Sequence, residues 1–80
     1  MKTFHLIITS VSGAKFDGAA VSATVPGAAG EMTLLPGHEP LMTTLKAGTI
    51  TARIEGGEAQ TFAIEDGVLE CTGDTITILL

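Results

Sequence analysis

Residues 49–64 read TITARIEGGEAQTFAI, and this stretch decides the fold class. On both sides of Gly56-Gly57, apolar and polar residues alternate, which is the period of a strand that is buried on one face. The glycine pair accepts the positive φ angles of a type I′ turn, so it predicts a β-hairpin. Threonine and isoleucine also favour strands, because branching at Cβ restricts χ1. The stretch therefore predicts two antiparallel strands joined by a tight turn.

The same alternation recurs along the rest of the chain. Ten glycines and three prolines separate the alternating segments, and no window shows a sustained helical spacing of apolar residues. Short strands about 8–12 residues apart are typical of an antiparallel sandwich or barrel. We therefore expect an all-β fold, an antiparallel β-sandwich of about 8–10 short strands that forms one domain over residues 1–80. The clearest alternating segments are residues 4–8, 21–25, 50–54, 62–64, 68–71 and 76–80.

Size and charge exclude several classes of protein. A chain of 80 residues buries only about 60% of its unfolded surface, too little for an enzyme with two lobes and a deep cleft. Nine acidic against four basic side chains, with no Trp or Tyr, argue against nucleic-acid binding. The same balance disfavours anionic lipid. No apolar run approaches the roughly 20 residues that cross a bilayer, so we expect no direct membrane insertion.

The chain has an unusually low share of charged residues for a small domain. Charged residues make up 16% of the chain, whereas about 25% is typical of soluble domains. A small protein has proportionally more surface than a large one, so solubility alone would favour a higher share of charged residues. We therefore expect part of the uncharged surface to meet a protein partner.

The pair His38-Glu39, between two prolines, comes nearest to a metal site or an acid–base pair. Metal sites need three or four ligands at suitable spacing, and His5 and Cys71 form no recognisable motif with this pair. His38 is more simply explained as a residue that hydrogen-bonds backbone and fixes its loop. Cys71, the one cysteine, is typical of a small buried hydrophobe in a reducing compartment. We expect no catalytic residue, metal or cofactor.

Lys46 leaves a second kind of function open. Small acidic β-sandwiches that carry a modified lysine at a turn form the lipoyl and biotinyl carrier domains. Residues 43–48, TTLKAG, place Lys46 near a predicted turn but match the surroundings of such a lysine only weakly. A solvated lysine at a strand end is the simpler interpretation. A carrier domain modified at Lys46 is the alternative function.

Residues 25–48 read VPGAAGEMTLLPGHEPLMTTLKAG and contain three consecutive motifs. These are a Gly-Glu-Met step, a Pro-Gly-His-x-Pro-Leu loop and a Leu-Lys-x-Gly turn. With them, the stretch resembles the epsilon subunit of F-type ATP synthase. An upstream Phe-x-Gly at residues 16–18, Gly-Val-Leu-Glu at residues 67–70 and the closing residues 74–79 also match that family. The resemblance covers essentially the whole chain.

The resemblance implies a fold and a role. It implies the N-terminal β-sandwich of the subunit, with the two C-terminal helices of the family absent from these 80 residues, so the inhibitory and ATP-binding properties of those helices are not carried over. It also implies a non-catalytic rotor subunit of the central stalk that links gamma to the c-ring and supports the coupling of proton translocation to ATP synthesis. The implied partners are gamma and the cytoplasmic loops of the c-ring. The implied location is peripheral, at the cytoplasmic face of the energy-transducing membrane.

Two sets of residues are candidates for these contacts. The resemblance implies a c-ring-facing edge that comprises Glu31, Met32, Pro36, Gly37, His38, Glu39, Pro40, Leu41 and Met42. Because c-ring loops in the family commonly present arginine, Glu31 is expected to set the register of that contact. An outward apolar patch is expected to bind gamma. Its candidates, taken from the alternate phase of the predicted strands, are Ile7, Leu35 and Leu79.

Overall fold

The computed structural model describes residues 2–37 and 39–80, and these residues form nine strands and no helix. The strands are β1 (Phe4–Ser10), β2 (Gly13–Ala20), β3 (Ser22–Gly27), β4 (Gly30–Leu34), β5 (Leu41–Leu45), β6 (Gly48–Arg53), β7 (Ala59–Ile64), β8 (Gly67–Thr72) and β9 (Thr75–Leu79). The predicted all-β fold is confirmed, and the number of strands lies within the expected range. Strands β2, β4 and β5 arise from segments in which the alternation is less clear.

The strands form one continuous sheet in the order β2-β1-β9-β8-β5-β3-β6-β7, with β4 paired to β3 outside this path. Every pairing of the described residues is antiparallel except that of β1 with β9, which is parallel. The predicted fold was antiparallel throughout, so this parallel pair was not expected. Parallel neighbours need a long connection, and here β2 to β8 supply it. The first and last strands can therefore lie side by side in the same direction.

One face of the sheet is buried in a single core to which both halves of the sheet contribute. Along β1, β8 and β9 every second residue is buried, as the alternation predicts. Burying a Val, Leu or Ile side chain stabilises the fold by roughly 1.5–3 kcal/mol. The core comprises Phe4, Leu6, Ile8, Ala20, Ala23, Val25, Leu34, Leu45, Ile50, Ala52, Ile64, Leu69, Cys71, Ile76 and Ile78.

Strand β3 joins the two halves of the sheet at a corner. Its first residues pair with β6, whereas its last residue, Gly27, pairs with Leu45 of β5. Between these two pairings, residues 46–50 lie opposite only Val25 and Pro26. The extra residues allow the chain to bend as it passes from β5 to β6. The bend separates the sheet into two halves whose inner faces share the core.

Close backbone contact holds this corner. The Lys46 N–H donates a hydrogen bond to the carbonyl of Pro26, at an N···O distance of 2.9 Å. At Gly48, a Cβ atom would lie 2.9 Å from Cβ of Pro26, closer than real Cβ atoms approach one another. Glycine is therefore required at this position by space, because the residue has no positive φ angle.

The two ends of the sheet order meet through aromatic side chains. Phe16 of β2 and Phe62 of β7 pack edge to face, with ring centroids 6.1 Å apart and an interplanar angle of 71°. Both rings are half-buried and pack against the core. Such a pair contributes about 0.5–1.5 kcal/mol beyond the area that it buries. The Phe16–Phe62 pair connects the two halves of the sheet on the side away from the corner.

The hairpin predicted at Gly56-Gly57 is present, but its turn differs from the prediction. Strands β6 and β7 pair in antiparallel register, and the last pair is Arg53 with Ala59. The Gly57 N–H donates to the Ile54 carbonyl at 3.1 Å, and only Gly56 of the two glycines has a positive φ, of 68°. A type I′ turn needs positive φ at both central residues. Because Glu55 takes the first central position with a negative φ, the type I′ prediction was wrong.

Candidate interaction surfaces

The outward side chains of the sheet form two faces of different chemistry. The first, which we name the apolar outer face, consists of Ile7 on β1, Met42 on β5, Val68 on β8 and Leu79 on β9. Met42, Val68 and Leu79 are 68%, 39% and 54% exposed, and Ile7 is half-buried. These side chains are outward because their strand neighbours point into the core. Large apolar side chains gathered on an exposed face mark a candidate contact with a partner.

The register of the strands brings members of this face together. Leu79 lies directly opposite Val68 across the β8–β9 pair, so their side chains are within contact distance. Met42 lies opposite Glu70, an exposed acidic residue of β8. At one end, an open groove of about 480 Å³ is lined by Thr44, Leu45, Asp66, Gly67, Val68, Leu79 and Leu80. The groove continues the apolar outer face toward the turn between β7 and β8.

The second face, which we name the threonine outer face, crosses β4, β3, β6 and β7. A row of threonines runs across these strands in direct register: Thr33, Thr24, Thr51 and Thr61. The hydroxyl oxygens of Thr24 and Thr33 lie 3.1 Å apart and share a hydrogen bond. Threonine combines a β-branched side chain with a hydroxyl group, so it suits the outer side of a hydrated strand. This face has no large exposed apolar residue among those that the structure describes.

The predicted c-ring-facing residues begin on β4. Glu31 is exposed, lies opposite Pro26 and points to the same side as the threonine outer face. Met32 points to the other side of β4, where it is half-buried against the core. Because β4 pairs only with β3 among the described residues, Glu31 stands on an edge strand. Its carboxylate is accessible to a basic group of a partner.

The remaining residues of that set lie in the β4–β5 loop and at the start of β5. Pro36 is half-buried, and Gly37 is exposed with a φ of 82°, which favours glycine. His38 lies outside the described residues, so the expectations for it are not tested. Glu39 and Pro40 are exposed.

Strand β5 separates the last two predicted residues. Leu41 packs against the core, whereas Met42 belongs to the apolar outer face. Met42 thus lies on the same outer face as Val68 and Leu79, whereas Glu31 lies on the other half of the sheet. The predicted c-ring-facing set therefore includes residues from both outer faces.

The predicted gamma-facing residues also lie in two different places. Ile7 and Leu79 lie on the apolar outer face, as their alternation with buried neighbours predicts. Leu35 is 54% exposed and directly follows the last residue of β4, Leu34, which is buried. Val68 and Met42 also lie on this surface and were not among its predicted residues. For Val68 the signal was present, since Leu69 and Cys71 occupy the buried phase of the same strand.

The titratable side chains that the structure describes include one exposed pair and one buried thiol. His5 Nε2 lies 2.5 Å from Asp17 Oδ1 in an exposed pair, and exposed pairs contribute little to stability. Burial raises the pKa of the Cys71 thiol, which disfavours the nucleophilic thiolate. Within residues 2–37 and 39–80, no three His, Cys, Asp or Glu side chains are placed to hold a metal ion. The hypothesis of a metal at His38-Glu39 involves a residue outside these ranges.

The geometry of Lys46 does not fit the carrier-domain alternative. A modified lysine in a carrier domain stands at the tip of a hairpin, between two strands that pair with each other. Lys46 is exposed, but β5 and β6 on either side of it pair with β3. Its own N–H is bonded to Pro26. The residue therefore marks the corner of the sheet, and nothing supports the alternative function.

Comparison with known proteins identifies the family. The family model described as the β-sandwich domain of the ATP synthase delta/epsilon chain matches residues 3–80. The chain belongs to this family. The resemblance noted from residues 25–48 is thereby confirmed.

Curated relatives and solved structures agree with the family assignment. The ATP synthase epsilon chains of Bordetella petrii and Bordetella parapertussis are 39% and 38% identical over 80 residues. Each alignment includes 99% of this chain but 56% of the relative, so the chain spans about half the length of the relatives that it matches.

Two solved structures show the same fold. A chain of the Euglena gracilis mitochondrial ATP synthase superposes with a TM-score of 0.90 at 23% identity, and the match covers 96% of this chain and 49% of that one. A chain of the Tetrahymena thermophila mitochondrial ATP synthase, from a structure of its central stalk and c-ring, gives a TM-score of 0.80 at 13% identity. That match covers 98% of this chain and 63% of the other. In the part of this delta/epsilon-family chain that the structure describes, no helix has the length and hydropathy needed to cross a membrane.

Proposed function

We propose that this domain belongs to a rotor subunit of an F-type ATP synthase, in which it links the gamma subunit to the c-ring. In this role the domain supports the coupling of proton translocation to ATP synthesis and catalyses no reaction itself. The family match over residues 3–80 and the relatives named ATP synthase epsilon chain support the proposal. The location that follows is peripheral, at the cytoplasmic face of the energy-transducing membrane.

The apolar outer face is the observation that carries the gamma contact. Val68 and Leu79 are adjacent and expose large apolar side chains to water. Covering such surface removes hydrocarbon from water, which favours association. Ile7 and Met42 extend the same face over two further strands. Gamma is therefore expected to cover these residues, and Leu35 is a separate candidate beyond the end of β4.

The c-ring contact is assigned to β4 and to the loop that follows it. Glu31 is exposed on an edge strand, where an arginine of a c-ring loop can reach it. A charge pair of this kind fixes the register of an interface more than it adds affinity. Met32 and Leu41 pack against the core behind this contact, so they support its backbone. Pro36, Gly37, His38, Glu39 and Pro40 complete the proposed edge, and Met42 lies where this edge meets the apolar outer face.

Rotation imposes a mechanical requirement on the domain. A subunit that turns with both neighbours must not deform between its two contacts. The continuous sheet links Glu31 and Leu79 through hydrogen-bonded strands, and the close-packed core resists compression. The Phe16–Phe62 pair and the corner at Lys46 connect the two layers on opposite sides. These features support a role as a stiff connector.

Size-exclusion chromatography with purified gamma tests the proposal. The wild-type chain should elute with gamma as a complex. Leu79→Glu should weaken the complex at least about tenfold, because it places a carboxylate in the centre of an apolar contact. Thr61→Glu is the matched control, since it places the same carboxylate on an exposed strand position of the other half of the sheet. Failure of the wild-type chain to bind gamma would refute the assignment.

A further inference from the structure

Strand β7 is an end of the sheet order, and it pairs with β6 alone among the described strands. Along its other side, the backbone N–H and C=O groups that point away from β6 have no strand beside them. Such an edge is a template onto which another extended chain can add. Natural proteins therefore protect their sheet edges with charges, prolines or bulges.

The other two edge strands have such protection, and β7 does not. Strand β2 carries Lys15 and Asp17, and its register with β1 shifts between Ile8 and Thr9. Strand β4 carries Glu31 at its exposed edge. Strand β7 reads AQTFAI, which contains no charge and no proline. An unprotected edge of six residues is long enough to pair with an average strand.

The side chains of β7 leave its edge accessible. Ala59, Thr61 and Ala63 point outward and are exposed, and all are small. Phe62 points inward and is held against Phe16, so the strand is anchored from the core side. An added strand would lie about 4.8 Å from β7, and it would extend the row of threonines that ends at Thr61.

Acidic residues flank the edge at both ends. Glu58 directly precedes β7, and Glu65-Asp66 directly follow it, all exposed. Arg53 lies opposite Ala59, one strand inward, and the exposed Glu55 lies in the turn between Arg53 and Glu58, so this end is also acidic. If a second copy added in antiparallel register, Glu58 of one chain would approach Glu65 of the other, and like charges oppose pairing. A strand with basic ends complements the flanks.

We propose that β7 binds an extended segment of a partner protein by strand addition. The segment has an uncharged, β-branched centre of about five residues and carries lysine or arginine at its ends. Main-chain hydrogen bonds to β7 supply the affinity, and the acidic flanks select the basic ends. This contact is independent of the proposed gamma and c-ring contacts, which use other strands.

Two labelled peptides test the proposal against the full 80-residue chain. The first is Lys-Lys-Thr-Val-Thr-Val-Thr-Lys-Lys, and the second replaces every lysine by glutamate. Fluorescence anisotropy should show at least about tenfold tighter binding of the basic peptide at low salt, decreasing as salt is added. Amide hydrogen exchange by NMR should slow along residues 59–64 when the basic peptide is bound, and not along β2 or β4.

Two variants and one control complete the test. The double variant Glu65→Lys with Asp66→Lys should weaken basic-peptide binding about fivefold, because it reverses two rim charges. Ala63→Lys should weaken it as well, because an outward lysine repels the peptide at the edge itself. Asp74→Asn, in the exposed turn between β8 and β9, removes one carboxylate away from β7 and should leave binding unchanged. Far-UV circular dichroism confirms that each variant is folded.

The contrary results are equally specific. Equal binding of the two peptides, or no saturable binding, overturns the proposal. Protection of β2 or β4 amides in place of β7 overturns the assigned site. Self-association of the chain with β7 protected in the absence of peptide overturns the assigned occupant in favour of a second copy. None of these results bears on complex formation with gamma.

Discussion

The apolar outer face and the threonine outer face follow the same strand geometry but meet water in opposite ways. Outward residues alternate with buried ones along β6 of the one face and β9 of the other. On the threonine outer face, Thr51 and Thr61 present hydroxyl groups that water can solvate. On the apolar outer face, Val68 and Leu79 present hydrocarbon in adjacent positions. Because exposed hydrocarbon is unfavourable in water, the difference indicates which half of the sheet is built to be covered.

The contrast also separates stability from binding. Inward residues pack the two halves of the sheet together, and outward residues form the contacts with a partner. Substitutions on the inner side should therefore lower the free energy of unfolding, and substitutions on the outer faces should change association. Single substitutions on each side of one strand can test this division.

Ile78 and Leu79 are neighbours in β9 with opposite orientations, so they give the largest contrast. Ile78 is fully buried, and Leu79 is 54% exposed. We expect Ile78→Ala to reduce the free energy of unfolding by about 2–5 kcal/mol, because it leaves a cavity. Leu79→Ala should change it by less than about 0.5 kcal/mol. Since the chain has no Trp or Tyr, urea unfolding followed by far-UV circular dichroism is the measurement, and equal losses would show that the orientation is wrong.

Glu31 and Leu79 should affect different partners if the proposed function holds. Glu31→Lys reverses the charge on the edge strand, so its binding to detergent-solubilised c-ring should weaken about tenfold, with gamma binding unchanged. Leu79→Glu should show the reverse pattern. Pull-down of each variant with isolated c-ring and with isolated gamma measures both effects. Loss of both partners by either variant would contradict the separation of the two contacts.

Cys71 should give the smallest effect on the free energy of unfolding. Its side chain is buried on the inner side of β8. Burial raises the pKa of its thiol above the ordinary value of 9.0, so the unfolded chain loses this proton at a lower pH than the folded chain. Stability from this group is complete below about pH 9. As pH rises above that value, unfolding should become easier by at most about 1.4 kcal/mol per pH unit, until the folded thiol also ionises.

The comparison variant for this measurement is Cys71→Val, which has no ionisable group and a similar volume. The difference in unfolding free energy between wild type and variant, followed by urea titration between pH 7 and about pH 10.5, isolates the thiol from the lysines. A constant difference across this range would mean that the thiol is not buried in the folded protein.

Much of the fold could be predicted from local pattern. Alternation identified the strands that hold Leu6, Ile50 and Ile76, and the structure buries these residues. Strand β2 was not predicted, since it contains Gly13 and Gly18 and few apolar residues. It is a strand because β1 supplies its hydrogen bonds along the whole length. Pairing with a neighbour thus overrides a weak local preference.

The candidate surfaces could be predicted only in part. The phase of Ile7 and Leu79 predicted that they point outward, and they do. That they share one face with Met42 follows from the order β1-β9-β8-β5, which brings together strands from both ends and the middle of the chain. The resemblance to the epsilon family instead implied that Met42 belongs to the c-ring contact. The sequence pattern predicts on which side of a strand a residue lies, but it does not predict which strands lie beside that strand.

The amino-acid sequence by itself determined the strand period, the inward and outward positions and the family. These properties are local or depend on motifs that can be read directly, because side chains alternate along any strand. Tertiary structure alone decided the parallel pairing of β1 with β9, the corner at Lys46 and the division into two outer faces. These depend on contacts between residues far apart in the chain, such as His5 with Thr75. Such contacts form only when the whole sheet buries one common core.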